Sequence, residues 1–446
     1  MERFSELLDD LAVMGPRGLA RFEASMDPQW IEQALAFTGK ASVRRRKLPA
    51  DQVVWLIVGM ALFRDRSIVS VVEHLNLVAP GVETLAPSAI PAARRRLGAE
   101  PMEWLFRRMT EEYRSSPQLP KYEGLELFGV DGSHLRVQDS DENFEHFGKP
   151  SSRNGPGDAG YPQARISVLL NLRSRLLADA RFGPYRVSEL ELTWPMLDSI
   201  PDRSLTIFDR GFYDTGLFGA LRSGGTERHV MVRLKKNSLL SVEEVLADGS
   251  ARVRMQVTRE AKKKHSELPD IVEGRVIAYQ HEGGQRSRLF VTLMDIDRYP
   301  AADLVELYHE RWELEVGYDE LKTHMFERNE CLRSKSPEAV EQELWGLLLT
   351  YNLVRREMLL VAEQRGLPPT RVSFRQAILT VRDFWLITAW GAPGRVPKFL
   401  KELRMTLGTL IIPPRRSERR YPRHVKIKMS NYKRNRGKRT GAGPPK

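Results

Sequence analysis

The sequence predicts an α/β protein: a mixed sheet with flanking helices, preceded by an all-α N-terminal domain and interrupted by a β-rich insertion. Three observations carry this. Apolar residues recur at helical spacing from the start of the chain to about residue 118. From Leu125 the period drops to two, and strands alternate with helices as far as Leu234. Strand-like segments with Gly- and charge-rich turns then return between Lys235 and Met294, before helical spacing resumes. The expected division is an N-terminal domain at 1–118, a core in two parts at 119–235 and 296–410, an insertion at 236–295 and a basic tail at 411–446.

Each element has a local reason. MERFSELLDDLAVMG opens the chain as an acidic amphipathic helix, without the pattern of a signal peptide. Ser42–Lys47 is a basic linker, and a helix follows over Ala50–Phe63. Ser67 caps Ile68–Leu75; past the Pro80-Gly81 loop, Ser88 caps Ala89–Leu97, which Gly98 stops. Three short helices ending on Arg94, Arg95 and Arg96 resemble a helix-turn-helix that reads a DNA groove; a helical bundle with a basic face looks similar. Met102–Tyr113 is a fourth helix, and Ser115–Pro120 a linker.

Leu125–Leu135, LELFGVDGSHL, alternates as a strand does and contains Asp131. The Gly148–Pro162 loop lacks the Gly-Lys-Ser/Thr ending of a nucleotide-binding loop, which excludes that function there. Arg165–Asn171 and Leu176–Phe182 are strands joined by a tight turn, and Ser188 caps a helix over Glu189–Leu197. Leu205–Asp209 is an apolar strand ending in a carboxylate; a helix over Asp214–Arg222 and a strand over His229–Leu234 follow. The insertion contributes Ala251–Val257, Ile271–Ala278 and Ser287–Met294. Beyond it, Tyr308–Lys322 is a helix, and Pro337 starts a long apolar helix over Glu338–Glu357 behind the sheet. Residues 366–410 are helical, with Trp385 and Trp390 packing there; Trp312 and Trp345 read as core residues.

Composition narrows the function. The net charge is +12, and the tail from Arg415 to Lys446 carries 13 Lys and Arg against one acid, so the excess sits there. A cationic tail with interleaved Tyr421 and Tyr432 points to a polyanion, and to nucleic acid before others, because tyrosines stack on bases. The longest apolar run, Val53–Phe63, is too short to span a bilayer. The single Cys331 excludes an internal disulfide and a cysteine-built zinc site, and fits a reducing cytoplasm.

Two carboxylates in apolar strands, Asp131 and Asp209, need something cationic to offset their desolvation: arginines or a bound metal. Glu315 adds a third. On the 308–322 helix, Tyr308, Arg311, Glu315 and Lys322 fall within an arc of roughly 60° at 100° per residue. That face suits a metal held by Glu315 and phosphate oxygens held by the other three, although an exposed face with an Arg311–Glu315 pair has the same pattern. Asp, Asp and Glu suffice for two Mg²⁺ ions sharing one carboxylate, with Mn²⁺ as substitute. Asp319 lies on the same face and competes with Glu315; Glu313 points away. His134, His146 and His229 lack metal-ligand spacing. Lys235 and Lys236 end a strand near this site and read as a solvated edge first, a DNA contact second.

Tyr308, Arg311, Glu315 and Lys322 match the Y-(2)-R-(3)-E-(6)-K signature, and the chain resembles the IS4 family of DDE transposases. Asp131 in GVDGS and Asp209 in FDRGF look like that family's first two acids, and the stretches ASVRRRKLPADQVVWLIVGMALFRD and LRSKSPEAVEQELWGLLLTYNLVRR are also similar. The resemblance implies a ribonuclease-H-like core and cut-and-paste transposition by a bacterial, cytoplasmic, nucleoid-associated enzyme. Asp131, Asp209 and Glu315 would hold the metals. Tyr308, Arg311 and Lys322 would grip phosphates, with Arg210 assisting. The partners implied are double-stranded DNA, as transposon terminal inverted repeats and as target, and a second copy of the chain on that DNA. Relatives that form hairpins hold a flipped base with an aromatic residue of the insertion. Residues 236–300 contain no Trp, which leaves Tyr279, Phe290 or Tyr299 as substitutes. A nuclease that cuts without joining, and a silent DNA-binding regulator, are the competing functions.

Overall fold

A strand whose alternate residues are apolar on both sides must be covered on both faces, and β1 (Glu126–Arg136) is such a strand. Leu127 and Leu135 enter one apolar cluster, Phe128 and Val130 another. In this computed structural model the described residues are 26–41, 47–78, 85–114, 119–150, 160–235, 238, 240–280, 286–326, 331–389 and 396–414. The expected N-terminal helix, the 42–46 part of the basic linker, the Pro80-Gly81 turn, Lys236, Trp390 and the tail from Arg415 lie outside them.

Among the described residues the strands form one nine-stranded sheet, ordered β3-β2-β1-β4-β5-β9-β8-β7-β6. β2 (Gln163–Asn171) and β3 (Leu177–Pro184) run antiparallel beside β1, joined by the expected turn. β4 (Ser204–Phe208) and β5 (Arg228–Arg233) run parallel to it on the other side. The insertion extends this same sheet. β6 (Ser241–Val245), β7 (Ala251–Gln256), β8 (Ile271–Tyr279) and β9 (Ser287–Val291) form an antiparallel run, and β9 closes onto β5 with Val232 opposite Phe290. Buried Arg275 pins the run: its guanidinium donates to the carbonyls of Leu293 and Tyr299, both at 2.7 Å, and to Asp248 at 3.0 Å.

Helices cover both faces. The described elements before β1 are all helices: α1 (Pro28–Phe37), α2 (Ala50–Leu62), α3 (Ile68–His74), α4 (Ala89–Leu97) and α5 (Glu100–Arg114). They share one core with α12 (Pro337–Gln364), which is buried on almost every side along its middle and is therefore central. The described residues through Ile412 belong to one compact unit. The opposite face carries α7 (Glu189–Thr193), continued by a 3-10 turn over Trp194–Ser199, and α8 (Thr215–Ser223). The short α6 (Asp141–Phe147) follows β1, and α9 (Arg259–Lys264) lies between β7 and β8.

Two expected roles change here. Arg94 is buried. Its guanidinium donates to Gln342 at 2.9 Å, Ser334 at 2.9 Å and the Ala339 carbonyl at 3.1 Å, so it joins α4 to α12 and cannot read a DNA groove. Arg64 and Glu343 pair beside it at 3.1 Å, in the same buried network. Trp312 is 39 % exposed, outside the core, whereas Trp345 is buried between Phe106 and Phe182.

Candidate active site at the ends of β1 and β4

Parallel pairing places the two aspartates. Val130 of β1 lies opposite Phe208 of β4, so the next residues, Asp131 and Asp209, sit side by side where β4 stops. Carboxyl ends of parallel strands are where open α/β sheets bind ligands. β1 continues against β2, which leaves Asp131 half-buried, while Asp209 is exposed on the rim. The expectation of two buried carboxylates therefore holds only in part. Burial pushes the Asp131 carboxyl up to about 6; the Gly132 N–H and Arg311 oppose this, and the negative charges of Glu189 and Asp209 reinforce it. The Gly132 N–H donates to Asp131 Oδ1 at 2.8 Å.

Gly129 and Gly132, two residues before and one after Asp131, admit a neighbour on each face of β1. A Cβ on Gly129 would lie 2.7 Å from Leu314, and one on Gly132 would lie 2.2 Å from the Glu189 side chain. Leu314 belongs to α11 (Trp312–Asp319), which therefore rests directly on β1. The Tyr318 hydroxyl of α11 donates to the Asp131 carbonyl at 2.7 Å and fixes that contact.

The expected 308–322 helix is built from several pieces. α10 (Ala301–Tyr308) leads into a 3-10 turn over His309–Arg311, then α11, then a π-helical turn over Glu320–Met325. π turns recur at functional sites, and this one carries Lys322. The back of the assembly is held by ion pairs. Arg173 grips Glu310 through two bonds of 2.9 and 3.0 Å. Arg175 bridges Glu313 and Glu320, and Glu320 also meets Arg355 and the Tyr351 hydroxyl.

The front carries the signature residues. Tyr308 is buried, its hydroxyl has no hydrogen-bond partner among the described residues, and burial raises its pKa to about 12. Burial lowers the Arg311 pKa, but Asp209, Tyr308 and Glu315 outweigh it and the net shift is upward. Arg311 donates to Glu315 at 3.1 Å, the exposed-face pair that the pattern also allowed. Burial depresses the Lys322 pKa against the attraction of Asp131 and Glu189, and its ammonium lies 5.3 Å from the Tyr318 ring centroid.

Competing residues fall elsewhere. Asp319 is exposed and accepts from the Thr323 hydroxyl at 2.5 Å, and Glu313 serves Arg175. Arg210 is exposed directly after Asp209. Lys235 is exposed, with its ammonium 5.8 Å from the Tyr213 ring centroid. Arg95 and Arg96 are exposed on α4. Phe290 and Tyr299 are core residues, so of the three insertion aromatics only the half-buried Tyr279 has ring surface to offer a base. Sequence reading missed Glu189, Tyr318 and the arginines behind the helix. The signal available was the pair of glycines around a strand aspartate.

Residues 123–353 match the transposase DDE domain family, and residues 16–107 the insertion element 4 transposase N-terminal family. This is therefore a DDE transposase, an enzyme that cuts DNA strands and joins them elsewhere, and its chemistry depends on a divalent metal ion. The chain is 36 % identical over 409 residues to the transposase InsG for insertion sequence element IS4 of Escherichia coli (strain K12), covering 91 % of this chain and 92 % of that one. It is also 37 % identical over 243 residues to the putative transposase InsZ of the same bacterium, covering 53 % and 79 %. It belongs to the IS4 family of transposases, and it is a cut-and-paste enzyme. Among solved structures, the piggyBac transposase synaptic complex with hairpin DNA is similar at a TM-score of 0.44 and 10 % identity, over 89 % of this chain and 85 % of that one.

The residues fit a hard divalent cation in donor type: the acids at the site offer oxygen only. The orphaned Tyr308 hydroxyl beside Asp209 and Arg311 also marks a place prepared for an acceptor. Among the described residues no three His, Cys, Asp or Glu side chains converge on one point, and Glu315 is engaged by Arg311. No helix among the described residues is long and apolar enough to cross a membrane.

Proposed function

We propose that Asp131, Asp209 and Glu315 hold two Mg²⁺ ions in a ribonuclease-H-like core, with Mn²⁺ as substitute, and that the protein works as a homodimer on two transposon ends. The observation that carries this reading is the register that sets Asp131 beside Asp209 beneath α11. Bound there, the ions supply positive charge to the attacking and leaving oxygens of a phosphodiester. Glu315 would hold an ion there in exchange for its bond to Arg311, which would leave that guanidinium for a phosphate oxygen. Tyr308 donates its unpaired hydroxyl to the same phosphate, and Lys322 supplies a cation near Asp131.

The chemistry then has two parts. Water attacks the phosphorus at the transposon end, breaking a P–O bond and releasing a 3′-OH. That hydroxyl attacks a target phosphodiester and displaces the target's own 3′ oxygen. Residues 1–118 form the helical DNA-binding region, with Arg95 and Arg96 toward phosphates, and 411–446 a basic tail on the DNA. Arg210 and Lys235 flank the scissile strand. The core comprises 119–235 and 296–410, with 236–295 inserted.

Metal-specificity exchange tests the assignment. Asp209→Cys, which trades a hard oxygen for a soft sulfur, should lose cleavage in Mg²⁺ and recover part of it in Mn²⁺. Equal cleavage by this variant and the native protein in Mg²⁺ would remove Asp209 from the site.

A further inference from the structure

Asp131 has a second acidic neighbour that the signature does not include. Glu189 is the first residue of α7, and Ser188 caps that helix by accepting from the Glu191 N–H at 3.1 Å. α7 is keyed to the backbone of Asp131. The Ser167 hydroxyl reaches the Asp131 carbonyl at 3.4 Å and the Thr193 hydroxyl at 3.3 Å, and Thr193 donates to the Glu189 carbonyl at 2.8 Å.

The side chain of Glu189 occupies the space where any residue but glycine at 132 would put its Cβ. That position lies 2.2 Å from Glu189 Cγ, 2.3 Å from Cδ and 2.7 Å from Oε1. Gly132 is also the residue whose N–H holds Asp131 Oδ1, so the two carboxylates meet at one glycine. Arg165 approaches Glu189 at 3.5 Å, the outer limit of a hydrogen bond, and Lys322 senses both acids. Glu315 by contrast is held by Arg311 at 3.1 Å. Glu189 places a further negative charge near Asp131, and a divalent cation between the two carboxylates removes the cost of that repulsion.

We infer that Glu189 is a fourth carboxylate of the metal site, binding the ion that Asp131 binds, and that Gly132 is glycine to let it in. The inference rests on the reading of Asp131 as a metal ligand.

Mn²⁺ titration of the full-length protein without DNA, followed by the electron paramagnetic resonance of free Mn²⁺, tests it. Glu189→Gln should weaken Mn²⁺ binding at least tenfold with no loss of the folded state by circular dichroism. Glu189→Asp keeps the charge but shortens the reach, and should fall between. Gly132→Ala should mimic Glu189→Gln by displacing an intact Glu189. A native isotherm for Glu189→Gln beside a weakened one for Asp131→Asn would overturn this inference and leave the Asp131 assignment standing. Native isotherms for both would overturn the two together. A lowered melting temperature with an unchanged isotherm would make Glu189 a packing residue and also overturn the inference.

Discussion

Asp131→Asn should stabilise the metal-free protein. The carboxyl at about 6 compares with an ordinary 3.8. At 1.36 kcal/mol per pKa unit, the gap corresponds to roughly 3 kcal/mol, and local relaxation reduces this to about 1–3 kcal/mol. The direction follows from proton binding. The folded state holds its proton more tightly than the unfolded chain, so it is favoured below about pH 4 and loses that advantage as pH rises through about 6. Asparagine keeps an oxygen to accept from the Gly132 N–H and carries no charge. Urea unfolding in EDTA should therefore give Asp131→Asn a higher midpoint than the native protein at pH 7.5. The difference should shrink on going to pH 4.5. Added Mn²⁺ should raise the native midpoint and leave the variant's nearly unchanged. A variant less stable than the native protein at pH 7.5, or a difference independent of pH, would refute the reasoning.

Other substitutions separate positioning from folding. Gly129→Ala places a Cβ 2.7 Å from Leu314 and should cost about 1–3 kcal/mol in urea unfolding; adding Leu314→Ala should return part of it. Tyr318→Phe removes the bond to the Asp131 carbonyl, and should lower stability by about 1 kcal/mol while slowing cleavage by a larger factor, read from single-turnover rates. Arg94→Ala breaks a buried network and should cost about 3–5 kcal/mol, whereas Arg95→Ala should change stability by under about 0.5 kcal/mol and reduce the salt slope of DNA binding by about one.

Much of the fold was legible because its signals are local. The alternation of LELFGVDGSHL, the LTIF run and the caps at Ser67 and Ser188 each specify an element within a few residues, whereas Ser88, expected as a cap, makes no side-chain bond at the start of α4. The face shared by Tyr308, Arg311, Glu315 and Lys322 was legible from helical spacing, although the 3-10 and π turns that interrupt it were not. What escaped depends on distant partners. Nothing near β5 announces that β9 returns to it, so the insertion read as a separate β-rich piece. Arg94 resembled Arg95 because its partners lie on α12, far along the chain. Trp312 read as core because apolar type was weighed without knowing which face the Arg173 and Arg175 pairs would turn inward. Glu189 was an unremarkable acid until the fold laid it over Gly132.

The most direct test of the account uses the DNA flanking this gene, incubated with purified full-length protein and Mg²⁺ beside Glu315→Gln and resolved on a denaturing gel. The account predicts discrete metal-dependent cuts at both flanks with the native protein and none with the variant. The same cuts from a correctly folded Glu315→Gln, or cuts that persist in EDTA, would contradict it.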